Sequence, residues 1–213
     1  MHAYFWLTEY SFNTLIYQAH MFGYLKLRIT KHDFPYSARR FMETTCSSGD
    51  CIGAFVPEIG EKYPDSAVEV SVETAVRPVA TLTPDRMTIN LSTAMEVQVK
   101  SVDNNVRTLA STNASITLSF VPEMRQQNLI GKITLHSLSL SNVKFLNGQV
   151  LSTPVQMDNA LTKLIGLTII PKLNVLADRG VKLPIAGGVR FVNTYISVKQ
   201  GYVIVGTDVT KTW

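Results

Sequence analysis

Apolar residues recur along this chain with two different periods, and the change from one to the other divides it. Leu7, Phe12, Leu15, Ile16, Ala19 and Phe22 fall at helical spacing, with Thr8 in the N-cap position and Gly23 where a helix stops. Leu25, Leu27 and Ile29 then alternate with Lys26 and Arg28, as an amphipathic strand does. Asp33 to Asp50 shows neither period, and Phe55 to Tyr63 predicts a short helix beginning near Pro57. From Val68 the period is two. Val68, Val70 and Val72 alternate with Glu69, Ser71 and Glu73, and Met87, Ile89, Leu91, Met95, Val97 and Val99 alternate with polar partners. Ala114, Ile116, Leu118 and Phe120 continue the pattern, followed by Ile133 and Leu135. The apolar phase then shifts to Leu138 and Leu140, and again to Val143 and Phe145. One extra residue swaps the faces of a strand, so these shifts predict β-bulges in long antiparallel strands.

Met157, Leu161, Leu164, Ile165, Thr168 and Ile169 return to helical spacing, widened by Ile170, Leu173 and Val175. Pro171 lacks a backbone donor and is expected to kink or stop this helix. Val189 to Val198 and Tyr202 to Val205 predict a closing hairpin around Lys199-Gln200-Gly201. No strand–helix–strand alternation occurs, which disfavours a parallel sheet. The expected fold class is α+β: residues 1–213 as one domain, a highly twisted antiparallel sheet of long strands wrapped around a long and a shorter helix. Between helix and sheet such an architecture can hold lipid.

Composition narrows the function. Apolar residues make up 46% and charged residues 17%, the balance of a folded chain. The net charge of +4 is spread out, with Arg39-Arg40 the only adjacent basic pair, so nothing argues for nucleic acid. No window approaches the roughly 20 apolar residues of a membrane-spanning helix. The N-terminus has no basic leader and Glu9 interrupts its apolar run, so the sequence as given is expected to carry no export signal of its own. Cys46 and Cys51 would close a local loop in an oxidising compartment and stay free thiols in the cytosol. Asn90-Leu-Ser and Asn113-Ala-Ser fit the N-glycosylation pattern. Together these features lean extracellular. His2, His20, His32 and His136 show no metal-ligand spacing, and no Gly-x-Ser-x-Gly elbow or phosphate loop occurs. Glu58 and Glu61 read as a solvated helix face. No enzyme, metal or cofactor is expected.

An ordered set of segments carries a resemblance. Thr8-Glu-Tyr-Ser-Phe-Asn-Thr, Phe55-Val-Pro-Glu-Ile-Gly-Glu-Lys-Tyr-Pro, Ile169-Ile-Pro-Lys-Leu-Asn, Lys182-Leu-Pro-Ile, Asn193 and the closing Val205-Gly-Thr-Asp-Val follow one another in the order of a known family. The chain resembles the C-terminal domain of the bactericidal/permeability-increasing protein and lipopolysaccharide-binding protein family from about Leu7 to Lys211. The resemblance implies a tubular lipid-binding domain whose apolar tunnel takes up phospholipid acyl chains, in secreted proteins that recognise lipopolysaccharide or carry lipids. It implies that the family's N-terminal domain, with the basic tip and the usual disulfide, is missing here, so Cys46–Cys51 would be an addition. The expected lining is Phe12, Leu15, Ile16 and Ala19 on the first helix with Met157, Leu161, Leu164, Ile165 and Ile169 on the second. The expected partners are phospholipid, lipopolysaccharide or a bacterial membrane surface. Two other readings stand beside this one: a lipid-transfer protein of the same fold, and an interaction half-domain that pairs with the N-terminal domain or with itself. Tyr4-Phe5-Trp6 fits a domain boundary for the latter.

Overall fold

The computed structural model describes residues 2–46, 49, 51–100, 106–125, 127–145, 162–163, 165–183 and 189–211. In chain order the elements are β1 (His2–Thr8), α1 (Glu9–Met21) and β2 (Lys26–Ile29), then 3-10 turns at Lys31–Asp33 and Tyr36–Met42. There follow α2 (Ile52–Phe55), α3 (Pro57–Lys62), β3 (Ala67–Thr74), β4 (Val79–Thr83), β5 (Arg86–Lys100), β6 (Val106–Arg125) and β7 (Asn128–Phe145). A π-helical segment, Ile165–Ile169, runs into α4 (Ile170–Arg179), and β8 (Val181–Lys182), β9 (Val189–Lys199) and β10 (Tyr202–Lys211) close the chain.

Every pairing is antiparallel. The large sheet runs β2-β3-β5-β6-β7-β8, with β4 on β5 beyond the end of β3. The C-terminal hairpin does not join it: β9 and β10 pair with each other, and β1 adds to β10 in a second, three-stranded sheet. β1 was not foreseen because three consecutive aromatics hide its alternation, in which Tyr4 and Trp6 face solvent while Phe5 and Leu7 turn inward. The register of β6 against β7 slips between Ser111 and Asn113 and between Thr117 and Leu118, where the apolar phase of β7 changes.

Two apolar clusters fill the interior. The larger joins Val68, Val70 and Val72 of β3 to Met95, Val97 and Val99 of β5, Ala114, Ile116 and Leu118 of β6, and Ile165. The smaller joins Ala80 and Leu82 of β4 to Phe191, Val198, Val203 and Val205 of the second sheet, with Phe12 and Ile16 of α1 against it. Ile89 touches both.

α1 stops as expected at Gly23, which takes φ +72° while the N–H of Tyr24 reaches back to the Ala19 carbonyl at 2.9 Å. Thr8 occupies the N-cap position but its side chain caps nothing; the free Glu9 N–H goes to the Gly201 carbonyl at 2.9 Å. Pro171 neither stops nor breaks the second helix. It lies in the first turn of α4, where a backbone donor is dispensable, and the wider π turn before it absorbs the change of pitch.

Both helices are fixed to strand edges by an asparagine. On α1, Asn13 accepts the Ala80 N–H (2.9 Å) and donates to the Ala80 carbonyl (2.8 Å) and to Glu9 O (3.0 Å). On α4, Asn174 accepts the Ile133 N–H (2.7 Å) and donates to the Ile133 carbonyl (2.9 Å) and to Ile170 O (3.1 Å). On β4, Glu9 Oε2 accepts the Leu82 N–H at 2.8 Å and the Gly201 N–H donates to the Leu82 carbonyl at 3.1 Å. The outward backbone groups of Ala80 and Leu82 are thereby all partnered.

Candidate functional site

The inner side of the large sheet and the two helices form an apolar site. Its floor is buried at Val68, Val70 and Val72 of β3 and at Met95, Val97 and Val99 of β5, whereas Ile89 and Leu91 of β5 and Leu135, Leu138, Leu140 and Val143 of β7 are only half-buried. Ile165 stands above the floor at 1% exposure, and Ile169, Ile170 and Leu173 continue along the same helix, half-buried against the larger cluster. Neither cluster contains a charged side chain, and no buried side-chain N or O among the described residues lacks a hydrogen-bond partner. The surface can exclude water and hold hydrocarbon; the threonine hydroxyls on its side, Thr93 and Thr112, are turned to the Ala114 and Ser141 carbonyls at 3.1 and 2.9 Å.

α1 is apolar on more than one side. Phe12, Ile16 and Ala19 are half-buried, the first two against the smaller cluster, while Leu15 and Phe22 on the adjoining flank remain 67% and 68% exposed. Tyr10 and Met21 are exposed as well. A helix with apolar residues on several sides calls for apolar surroundings on more than one of them. Of the nine expected lining residues the structure brings Ile165 and Ile169 onto the large cluster and Phe12 and Ile16 onto the small one; Leu15 lies open. Met157, Leu161 and Leu164 lie outside the described residues.

Cys46 and Cys51 form a disulfide. Asn90 of β5 and Asn113 of β6 are both exposed on the outer face of the large sheet, opposite the apolar clusters, amid Ser92, Ser115, Thr117, Ser139 and Ser141. Among the described residues no three His, Cys, Asp or Glu side chains gather as a metal would need. No helix among them is long and apolar enough to cross a membrane.

Sequence reasoning missed the aromatic face of the second sheet. Tyr4, Trp6 and Tyr195 are 57%, 59% and 52% exposed, the Trp6 and Tyr202 rings lie 5.3 Å apart, and Tyr195 lies over the bare backbone of Gly206. It also missed Asn13 and Asn174. The signal was present in each case, a lone amide beside the apolar residues of a helix: Asn13 next to Phe12, Asn174 next to Leu173.

The chain matches the LBP / BPI / CETP family, C-terminal domain, over residues 2–211. It is similar to the bactericidal permeability-increasing protein of Sebastes schlegelii, at 27% identity over 211 residues, 97% of this chain and 42% of that protein. The bactericidal permeability-increasing protein of Rattus norvegicus is 20% identical over 207 residues, 97% of this chain and 41% of the relative. BPI fold-containing family B member 2 of Mus musculus is 24% identical over 165 residues, 73% of this chain and 34% of that protein. A crystal structure of lipopolysaccharide binding protein superposes with a TM-score of 0.63 at 14% identity, covering 99% of this chain and 43% of that one. At that identity the likeness is one of fold. The chain spans about two fifths of the length of the bactericidal permeability-increasing proteins it matches.

Proposed function

The chain belongs to the LBP / BPI / CETP family, as a C-terminal domain, and from that membership we propose that it binds phospholipid by its acyl chains, outside the cell. The observation that supports this is the uncharged inner surface between α1, the π-helical segment with α4, and the large sheet. Each methylene moved from water into such a site gains about 0.8 kcal/mol, enough over two acyl chains to exceed the loss of ligand freedom. The headgroup, which desolvates at a high cost, stays at the mouth. The family is one of non-enzymatic lipid-binding proteins, and this mechanism requires no catalytic group.

The proposed lining is the nine residues named from the sequence, from Phe12 to Ile169. We place glycans on Asn90 and Asn113, whose outer face leaves the lipid side clear. Docking to lipopolysaccharide or to a bacterial membrane, in innate defence, is the role proposed for the loaded domain; carriage of lipid between particles is the alternative. Native mass spectrometry and lipid extraction on protein from a secretory host test the core of this reading. About one phospholipid per chain is expected, and a folded, lipid-free chain overturns it. Ile169→Trp and Ile16→Trp, both at half-buried positions facing the clusters, are expected to lower the bound lipid about threefold or more by filling the apolar space. Unchanged lipid in both folded variants discards this lining.

A second reading, an interaction half-domain, is favoured by the aromatic face of Tyr4, Trp6 and Tyr195. On this reading the isolated chain self-associates, and Trp6→Ser returns it to a monomer in sedimentation velocity. A parent protein that sediments as a monomer at all concentrations counts against it.

A further inference from the structure

A second, polar cavity lies at the other side of the large sheet. Its volume is about 600 Å³ and its lining includes Lys31, His32, Glu43, Asp65, Ala67 and Lys100. Glu43 bridges to Ala67, and Ala67 pairs with Lys100. Residues paired in this way project to one face, so a carboxylate and an ammonium flank the small Ala67, their backbones about 10 Å apart across two strand spacings. That face is the outer one, which also carries Glu69, whereas Val68, Val70, Val97 and Val99 point into the apolar cluster.

The walls are fixed by bonds that leave several of the charges free. The Thr44 hydroxyl donates to the Tyr63 carbonyl (2.5 Å) and accepts the Ser66 N–H (3.0 Å), tying Glu43–Thr45 to Asp65–Ala67. Asp33 caps the turn that presents Lys31 and His32, accepting the Thr30 N–H at 2.7 Å, and is anchored to α4 by Lys172. Burial pushes the pKa of the Asp33 carboxyl up, but the hydrogen bonds from Lys172 and Thr30 outweigh it and hold the pKa below its ordinary value. Glu69 is neutralised by Arg28, whose Nε donates to it at 2.9 Å, and among the described residues Asp65 accepts only the neutral Thr45 hydroxyl, at 3.0 Å. Among the described residues Lys31, Lys100 and Glu43 make no ion pair. The cavity thus presents two cations and two carboxylates that, among the described residues, are not cancelled by an ionic partner, beside walls tied together by the Thr44 hydrogen bonds.

We propose that this cavity binds a small zwitterion built of a phosphate ester and an ammonium group, the phosphate against Lys31 and Lys100 and the ammonium against Glu43 and Asp65. Lysine is a point-charge donor suited to phosphate oxygens, and net neutrality of the four groups rejects a ligand of one sign. The proposal is independent of acyl-chain capture, which occupies the opposite face.

The test is a titration of the isotope-labelled chain followed by amide chemical shifts. O-phosphoethanolamine and phosphocholine are expected to give saturable shifts at Lys31, Glu43, Ala67 and Lys100. Glu43→Gln and Lys100→Gln, both polar changes that leave the fold in place, are each expected to weaken binding about five- to tenfold. Lys26→Gln, outside the cavity and paired with Glu73, is expected to change nothing. Inorganic phosphate binding equally well with Glu43→Gln silent would overturn the proposal in favour of a plain anion site. Equal binding of ethanolamine or glycine would overturn the need for phosphate, and no shift with any ligand would dismiss the site. Phosphatidylethanolamine vesicles distinguish the two sources: association that soluble O-phosphoethanolamine displaces assigns a bilayer headgroup, and saturable binding of the soluble zwitterion alone assigns a free one. Lipid extraction reports on the apolar face separately, so either reading can fail without the other.

Discussion

Alanine at Gly53 is expected to lower the melting temperature by about 6 °C or more, at a cost above about 3 kcal/mol. A β-carbon at this position would lie 1.6 Å from the Thr44 carbonyl oxygen, and one at Gly60 would lie 2.7 Å from the same atom. Such a clash is usually relieved by a neighbouring side chain turning aside. Here the neighbour is backbone, and it is held from three directions: the Thr44 N–H donates to Ser66 O at 3.0 Å, its hydroxyl bridges to Tyr63 and Ser66, and the Cys46–Cys51 disulfide closes two residues later. The two glycines are therefore a matter of contact and not of backbone freedom. Gly166→Ala is the control, since nothing lies within 4 Å of its β-carbon; a neutral or slightly raised melting temperature is expected there. An unchanged melting temperature for Gly53→Ala would refute the close approach, and with it the rigid wall of the polar cavity.

Asn13→Leu and Asn174→Leu are each expected to cost about 2–4 kcal/mol, because each orphans one strand N–H and one strand carbonyl. Ala80 is fully buried, so at Asn13 water cannot substitute for the lost partners. Denaturant unfolding gives the size of the loss, and faster hydrogen exchange at the Ala80 amide gives its location. Asn13→Asp separates the two halves of the clamp. It keeps an acceptor for the Ala80 N–H but sets an oxygen against the Ala80 carbonyl, so the carboxyl is favoured in its protonated form and its pKa is raised on folding. Stability in this variant is then present at low pH and lost as pH rises through the raised value. A pH-independent Asn13→Asp protein, or a leucine variant as stable as the parent, would show that the amide geometry does not hold the helix.

The parts of this molecule that the sequence made legible are those where one face is apolar over many residues. The odd-numbered run from Met87 to Val99 is β5, and the phase changes of β7 between Leu135 and Leu138 and between Leu140 and Val143 coincide with the slips in its register against β6. Gly23 ended its helix because only the left-handed conformation continues the chain there. What stayed hidden had another cause. β4 is five residues between two prolines, too short to display a period, and β1 spends its alternation on aromatics that read as apolar on both faces. Pro171 looked like a terminator because a sequence does not announce a π turn. Helical spacing marked the inward-packed Ile165, Ile169, Phe12 and Ile16 as apolar-face residues, but it could not tell that Leu15 would lie open, since exposure depends on which neighbour a flank meets. The polar cavity was invisible for a similar reason: its lining residues Lys31, Glu43, Asp65 and Lys100 are far apart in sequence, and Glu43 and Lys100 are brought together by the pairing at Ala67.

The clamp on α1 also bears on how this protein survives while folding. β4 lies alone beside β5, and its outer edge would otherwise offer the backbone of Ala80 and Leu82 to any passing strand. Asn13 and Glu9 answer the Ala80 N–H, the Ala80 carbonyl and the Leu82 N–H from a helix made earlier in the chain, so most of the edge is covered as soon as α1 docks. Gly201 later donates to the Leu82 carbonyl. Until then the strand is a template for another copy. Loss of Asn13 therefore has a second consequence besides lower stability: refolding becomes concentration-dependent, with aggregates seeded at β4 as the competing product.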